Sequence, residues 1–306
     1  MKMKWIAAAL LGWSMGCVAP ADVPSNVKDL RVLGVQLEPP EVMAPVCTQD
    51  LLALAAAYAQ RIHYTALIAD PAGEGRAIEA ELLACASTAD RVCDTQGERY
   101  VLQPLSEVPP GELFMDLDPV ATKGFPDDPL LKKVIEKDPY GGLGGVRVPL
   151  VLHLRAGDEE IYAQKLMIYS CRFSPDQTQN ANPSLPGVRI SGAAWGVADT
   201  PMLEGPGPFA VEPDPFDQLQ EAYVVPSFQL QPVELVESWK IAWYVDYGQF
   251  APEETGGTDL GGTSSRYRTE WSPPDGAVER DVKFWMVVRD GRGGTSWLVR
   301  TAHYRP

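Results

Sequence analysis

The chain has 306 residues, which is enough for two domains of about 150 residues each. Hydrophobic residues make up 45% of it, so it can bury cores, and its 27 Gly and 28 Pro favour short strands joined by turns. The net charge of −15 argues against nucleic acid as a partner, because phosphate binding needs a cationic surface.

The N-terminus resembles a bacterial lipoprotein signal over residues 1–16. Lys2 and Lys4 form a cationic start, and the apolar stretch 5–13 is too short to cross about 30 Å of hydrocarbon as a helix. The resemblance implies that Cys17 is lipidated and becomes the new N-terminus. Ser14 stands where such signals usually have Leu, so an ordinary secretory signal with an incidental Cys17 is the alternative.

Residues 17–27 are small, polar and proline-containing, which predicts a lipidated, flexible tether. No later run reaches 18 consecutive apolar residues, so we expect membrane contact through the N-terminal lipid alone. No Asp follows Cys17, and the sorting rule of such lipoproteins then implies anchoring in the outer membrane, facing the periplasm or the cell surface.

Four further cysteines are an even number, which in an exported protein indicates two disulfides. Four cysteines allow three pairings. We favour Cys85–Cys93 within one hairpin, which leaves Cys47–Cys171 to close a long loop. No CxxC pair is present, so zinc binding by these cysteines is disfavoured.

The first predicted module spans residues 28–175. Alternating apolar residues predict strands at 29–42 and 61–75, each ended by proline. An Ala- and Leu-rich segment at 51–59 favours a short helix, and a second helix is predicted after Asp127 or Asp128, ending near Asp138. A hairpin follows at 146–171, with Val148, Leu150, Leu152 and Leu154 on one face.

The second predicted module spans residues 183–306. Its proline-rich segment 199–217 is expected to be a long surface loop. The stretch 233–247 predicts one strand, with Leu235, Trp239 and Trp243 on its apolar face. A closing hairpin turns at 290–294, and Trp271 is predicted to be core.

Short alternating strands with turns between them predict a mainly β fold: two antiparallel immunoglobulin-like β-sandwich domains, with one or two short helices inserted in the first. The hairpin at the end of the first module corresponds in position to the closing hairpin at the end of the second module. This correspondence indicates a weak internal duplication.

Four segments carry a resemblance over nearly the whole mature chain: RVLGVQLEPPEV, ADPAGEGR, NPSLPGV and VVRDGRGGTSWL. They resemble a family of predicted envelope lipoproteins of gliding soil bacteria, whose modules are similar to immunoglobulin-like or PKD-like sandwiches. The resemblance implies fold and compartment, and it supplies no catalytic residues.

Catalytic and metal-binding patterns are not recognised. His63, His153 and His303 lie in separate predicted strands without HExxH or HxH spacing, and His153 is expected on a solvated face. No paired acid and base or nucleophile stands at a known spacing. We therefore expect a non-enzymatic protein that needs no cofactor and no metal.

Trp285 gives the sharpest indication of a ligand. By parity it lies opposite Phe284 and Met286, on the face with Lys283 and Arg289. An outward Trp between cations can stack on a sugar ring or anchor a protein; the alternative is that this face packs on the first module or the long loop. The candidate ligand-binding residues are Trp285, Arg289, Arg292 and Trp297. The leading interpretation is an envelope scaffold or protein-interaction module, and the second is a glycan-binding module, with envelope proteins or glycans as partners.

Overall fold

The computed structural model describes residues 24–48, 50–89, 92–94, 98–124, 127, 129–139, 141–257 and 267–306. The predicted signal peptide, Cys17 and residues 18–23 of the predicted tether lie outside these ranges. The described residues form a mainly β fold with two short α-helices, both in the first module, which confirms the predicted fold class. No helix in the described ranges is long and apolar enough to span a bilayer.

The first module packs a three-stranded and a five-stranded sheet face to face, and β5 and β6 form a separate two-stranded sheet. Its elements in chain order are β1 (Arg31–Glu38), β2 (Glu41–Ala44), α1 (Leu51–Ala57), β3 (Ile62–Ala69), β4 (Ile78–Cys85), β5 (Thr88–Ala89), β6 (Val92–Cys93), β7 (Arg99–Val108), β8 (Gly111–Leu117), α2 (Leu130–Lys137), β9 (Val146–Ala156) and β10 (Glu159–Cys171). The sheets run β1-β3-β8 and β2-β10-β9-β4-β7. The predicted face of the β9–β10 hairpin, from Val148 to Leu154, is fully buried in the core between them.

Both helices form where the sequence predicts them. The Asp50 carboxylate caps α1 by accepting hydrogen bonds from the backbone N–H groups of Leu52 and Ala53. The N-cap of α2 is Pro129 and carries no side-chain cap, so the predicted capping by Asp127 is wrong, and Asp128 lies outside the described residues. The apolar face of α2 is buried against the hydrophobic core of the first module.

The second module packs two five-stranded sheets. Its strands are β11 (Val188–Ile190), β12 (Ala193–Ala194), β13 (Met202–Glu204), β14 (Phe209–Pro213), β15 (Ala222–Pro226), β16 (Pro232–Val236), β17 (Lys240–Val245), β18 (Gln249–Ala251), β19 (Glu254–Gly256), β20 (Thr269–Ser272), β21 (Arg280–Arg289) and β22 (Thr295–Arg305). The sheets run β12-β11-β14-β20-β18 and β13-β22-β21-β17-β19, while β15 and β16 form a separate hairpin. Trp239, Trp243 and Trp271 are core residues, as predicted.

Each module has one parallel strand pair, formed in both cases with the end of the last strand of the module. β2 pairs with the end of β10, and β13 pairs with the end of β22. The other strand pairs of the described chain are antiparallel. This repeated topology agrees with the internal duplication that the two hairpins indicate.

Three local predictions are wrong. Segment 199–217 is not a surface loop, because it contains β13 and β14 and buries Phe216. Stretch 233–247 is two strands in different sheets, since β16 ends before the buried Glu237 and β17 begins at Lys240. The predicted tether is not free over residues 25–27, where the backbone pairs with Val245 and packs on the second module.

Both predicted disulfides form. Cys47–Cys171 joins the segment after β2 to the end of β10, with the Cα atoms 4.9 Å apart. Cys85–Cys93 joins the end of β4 to β6, with the Cα atoms 5.5 Å apart. The first closes a loop with a sequence separation of 124 residues and the second a loop of 8, so they restrain the module on different scales.

Candidate functional site: the module interface

One face of the second module packs on the first module around Trp285. The parity prediction is confirmed, since Lys283 Nζ lies 5.5 Å from the centroid of the Trp285 ring. The side chain is nevertheless only 3% exposed, because it clusters with Val27, Leu33 and Leu67. The expectation of an exposed Trp285 is therefore wrong, and the alternative, in which this face packs on the first module, is correct.

The other predicted ligand-binding residues also make interface contacts. Arg289 Nη2 donates a 2.9 Å hydrogen bond to the backbone oxygen of Leu33. Trp297 Nε1 donates to Glu112 Oε1 of the first module at 2.6 Å. Trp285, Arg289 and Trp297 thus contact the first module, which covers the surface predicted to bind a glycan.

The turn of the closing hairpin inserts against the first module. The buried Asp290 carboxylate fixes this turn by accepting from the backbone N–H groups of Arg292 and Gly294 and from Asn180 Nδ2. Lys165 of β10 donates to the backbone oxygen of Gly293 at 2.6 Å and to Thr295 Oγ1 at 2.9 Å. These bonds hold the two modules together through the turn.

The linker between the modules contributes a part of the site that the sequence did not indicate. The backbone N–H of Asn180 donates to Glu41 Oε2 at 2.7 Å, and Asn182 Nδ2 donates to the backbone oxygen of Leu37 at 2.8 Å. Asn182 also accepts from the backbone N–H of Thr295. A short polar linker has no periodicity, so only its contacts reveal this role.

Arg292 is the centre of a charged cluster. Its Nη1 lies 3.1 Å from Glu221 Oε2 and 3.1 Å from Glu237 Oε1, and its guanidinium carbon lies 4.2 Å above the Tyr223 ring. Burial raises the pKa of Glu237 above its ordinary value. The cluster ties the inserted turn to the β15–β16 hairpin and leaves Arg292 little exposed.

Two cavities flank Lys165. The first, which we name the seam cavity, has a volume of about 640 Å³ and lies between β1 residues 32–35, β10 residues 161–166 and the inserted turn with Arg289 and Thr295. The second, the arm cavity, has about 440 Å³ and lies between β10, Arg292 and residues 223–226 of β15. Burial lowers the pKa of Lys165 to about 8, with Asp290 opposing and Arg289 adding to the shift.

The β15–β16 hairpin, residues 222–236, projects over the arm cavity, and we name it the arm. β15 lies inward, with Val224 buried and Tyr223 on Arg292. Every residue of β16 is exposed, and within the described chain β16 pairs with β15 alone. Leu235, which the sequence places on the same apolar face as Trp239 and Trp243, is 40% exposed, because β16 is not part of the sandwich sheets.

The histidines form no common site. His153 is only 5% exposed, so its predicted solvated position is wrong: the Tyr162 ring stacks on it at 4.4 Å, and Glu160 Oε1 lies 2.6 Å from Nε2. His63 and His303 pair with exposed carboxylates on separate strands, and two such bonds raise the pKa of His303. The described residues contain no group of three His, Cys, Asp or Glu placed to hold a metal ion.

Comparisons with known proteins give no family. No protein-family model and no curated protein matches the chain. Among solved structures, the periplasmic chaperone SfaE is 10% identical, with a TM-score of 0.25 over 89% of this chain and 99% of the chaperone. Red sea bream transglutaminase is 10% identical, with a TM-score of 0.22 over 91% of this chain and 32% of the enzyme.

Dimeric latent PorU from Porphyromonas gingivalis is also 10% identical, with a TM-score of 0.23 over 90% of this chain and 24% of that one. The chain therefore spans about a third of the length of the transglutaminase and about a quarter of PorU. Likenesses of this extent carry no argument about function.

Proposed function

We propose that this protein is a non-enzymatic cell-envelope lipoprotein that serves as a scaffold or protein-interaction module, with the arm as its docking element. The observation that carries the proposal is the exposure of β16, a strand with four apolar residues among five. Among the described residues, one of its edges has no strand beside it. Large exposed apolar patches and unpaired strand edges are typical of surfaces that bind other chains.

The contrast with another edge strand supports this assignment. β7 is also an edge strand and exposes Val101 and Leu105, but Pro104 interrupts it and its pairing with β4 is twice out of register. Proline and bulges are the features by which proteins protect an edge from other strands. β16 has a proline only at its first residue, so its edge is left open to a partner.

The chemistry of β16 favours an extended segment of another envelope protein. Such a segment can add as a strand, with apolar side chains beside Val233 and Leu235 and a Lys or Arg opposite Glu234. A second copy of this chain, paired antiparallel about the centre of β16, would set Glu234 against Glu234, and like charges directly opposite are destabilising. The net charge of −15 also favours a basic partner.

The proposed lipid at Cys17 limits the distance between the membrane and the folded modules. Ser25 packs on the second module, where its hydroxyl accepts a hydrogen bond from the backbone N–H of Phe250. The intervening chain spans at most about 28 Å when fully extended. The two disulfides support an oxidising compartment. Mass spectrometry of the mature N-terminal peptide tests the anchor: an acylated Cys17 supports it, and an uncleaved Met1 contradicts it.

The docking role is tested by photo-crosslinking in the native cell. A photoreactive amino acid replaces Val236, which is 63% exposed on the arm, and in a matched control it replaces Val278, which is 61% exposed elsewhere on the second module. We expect one defined adduct with an envelope protein from position 236 and none from position 278. The double substitution Val233→Lys with Leu235→Lys should reduce that adduct at least about tenfold.

Two results would contradict the docking role. One is an identical adduct pattern from positions 236 and 278, which would mean chance encounters. The other is an adduct between two copies of this chain, accompanied by a dimer in solution that the double lysine variant abolishes. Circular dichroism and thermal melting of the double variant provide the folding control, since both side chains are solvent-exposed and their substitution is expected to leave the sandwich intact.

A further inference from the structure

The seam cavity combines two cations with no acidic residue. Lys165 and Arg289 line it, and none of its described lining residues is Asp or Glu, although the chain carries 41 acidic residues. Neither cation makes an ion pair with a carboxylate in the part of the chain that the structure describes. The cavity opens to solvent and has the size of a small-molecule site, roughly 300–1,000 Å³.

The two head groups border the same space. Lys165 Nζ lies 2.9 Å from Thr295 Oγ1, and Thr295 is the cross-strand partner of Arg289 in the β21–β22 ladder. Directly opposite residues of an antiparallel pair present their side chains on the same face. The Arg289 charge accordingly acts on Lys165 and disfavours its protonation.

Within the part of the chain that the structure describes, both groups retain unused donors. Lysine has three N–H donors, and Lys165 uses two of them on Gly293 and Thr295. The guanidinium has five, and Arg289 uses one on the backbone oxygen of Leu33, the residue at which β1 bulges. The Asp290 carboxylate lies near Lys165 but is occupied by Arg292, Gly294 and Asn180.

We propose that the seam cavity binds an oxyanion, a carboxylate or phosphate group, between the side chains of Lys165 and Arg289. The anion accepts charge-assisted hydrogen bonds from the third Lys165 N–H and from the free Arg289 donors. Binding restores a counter-charge to a partly buried ammonium that holds its proton less readily than a lysine in water. This site is separate from the arm and does not depend on the docking role of β16.

The test uses the mature chain and two probes, inorganic phosphate and tri-alanine with a free C-terminal carboxylate. Tri-alanine amide is the matched control for the peptide, and chloride at equal ionic strength controls for screening. Isothermal titration calorimetry with wild type should show saturable binding of at least one probe. Lys165→Met and Arg289→Met should each weaken that binding at least tenfold, while Lys132→Met, which alters an exposed lysine of α2, should leave it unchanged.

The choice of probes identifies the source of the anion. Binding of phosphate alone indicates a phosphorylated ligand, binding of tri-alanine and not its amide indicates a chain terminus or acidic peptide, and binding of both supports general oxyanion recognition. If Lys165→Met fails to fold because it loses the contacts to the turn, Arg289→Met decides. The proposal is overturned if neither probe binds with a Kd below about 10 mM, or if wild type and both variants bind equally.

Discussion

Trp285→Ala measures how much the module interface stabilises the protein. A buried Trp removes about 200 Å² from water, which at about 25 cal/mol/Å² corresponds to about 5 kcal/mol. Partial collapse of Val27, Leu33 and Leu67 into the space lowers this figure, and Trp→Ala substitutions in cores cost about 3–5 kcal/mol. We expect a loss of that size in the free energy of unfolding, since Trp285 is at the centre of the interface cluster.

Urea denaturation followed by far-UV circular dichroism and tryptophan fluorescence is the assay. Wild type should unfold in one transition. Trp285→Ala should unfold in two transitions, one for each module, because each module keeps its own core. Val278→Ala on the exposed surface is the control and should change stability by less than about 0.5 kcal/mol. A loss below about 1 kcal/mol with an unchanged single transition would refute an energetically coupled interface.

Three further outcomes follow from the structure. Arg292→Met should cost about 3–5 kcal/mol at pH 7 in urea titrations, because it leaves the buried Glu237 unpaired, and Glu237→Gln in the same chain should recover part of that loss. The pKa of Lys165 is about 8 in the folded chain and 10.5 as the ordinary value, so between these pH values the unfolded chain binds one more proton than the folded chain. The stability of wild type relative to Lys165→Met should therefore rise with pH across that window, by up to about 3 kcal/mol. A stability difference that does not change with pH would contradict this. Replacing Cys47 and Cys171 by Ala should cost about 4–5 kcal/mol and replacing the shorter disulfide about 2–3 kcal/mol, measured by thermal unfolding under non-reducing conditions.

The candidate site shows how far parity reasoning extends. Alternation along β21 correctly places Trp285 on the face opposite Phe284, because successive side chains of a strand point to opposite sides of a sheet. It does not say what covers that face. The first module does, through residues that lie more than 200 positions earlier in the chain, and no local pattern reports such a contact.

The cations of the seam cavity were missed or misassigned for the same reason. The sequence predicts Arg289 as part of a glycan-binding surface, and it gives no sign of a role for Lys165, since a lysine in an amphipathic strand is ordinarily solvated. Only the insertion of the 290–294 turn between β1 and β10 partly buries Lys165 and places it next to Arg289. The turn itself was predicted correctly from its Asp and Gly residues.

The sequence alone determined the mainly β fold, both helices, both hairpins and the presence of two disulfides. The fold class, the helices and the hairpins depend on local periodicity and turn chemistry, which are encoded within short stretches of chain. The even number of cysteines indicates two disulfides but does not fix their pairing, because Cys47 and Cys171 are 124 positions apart. The tertiary structure alone decided that Trp285 is buried, that β16 leaves the sandwich, and that Lys165 and Arg289 share a cavity. Those features arise where distant segments meet, because burial and the pairing of charges depend on which surfaces the fold brings together.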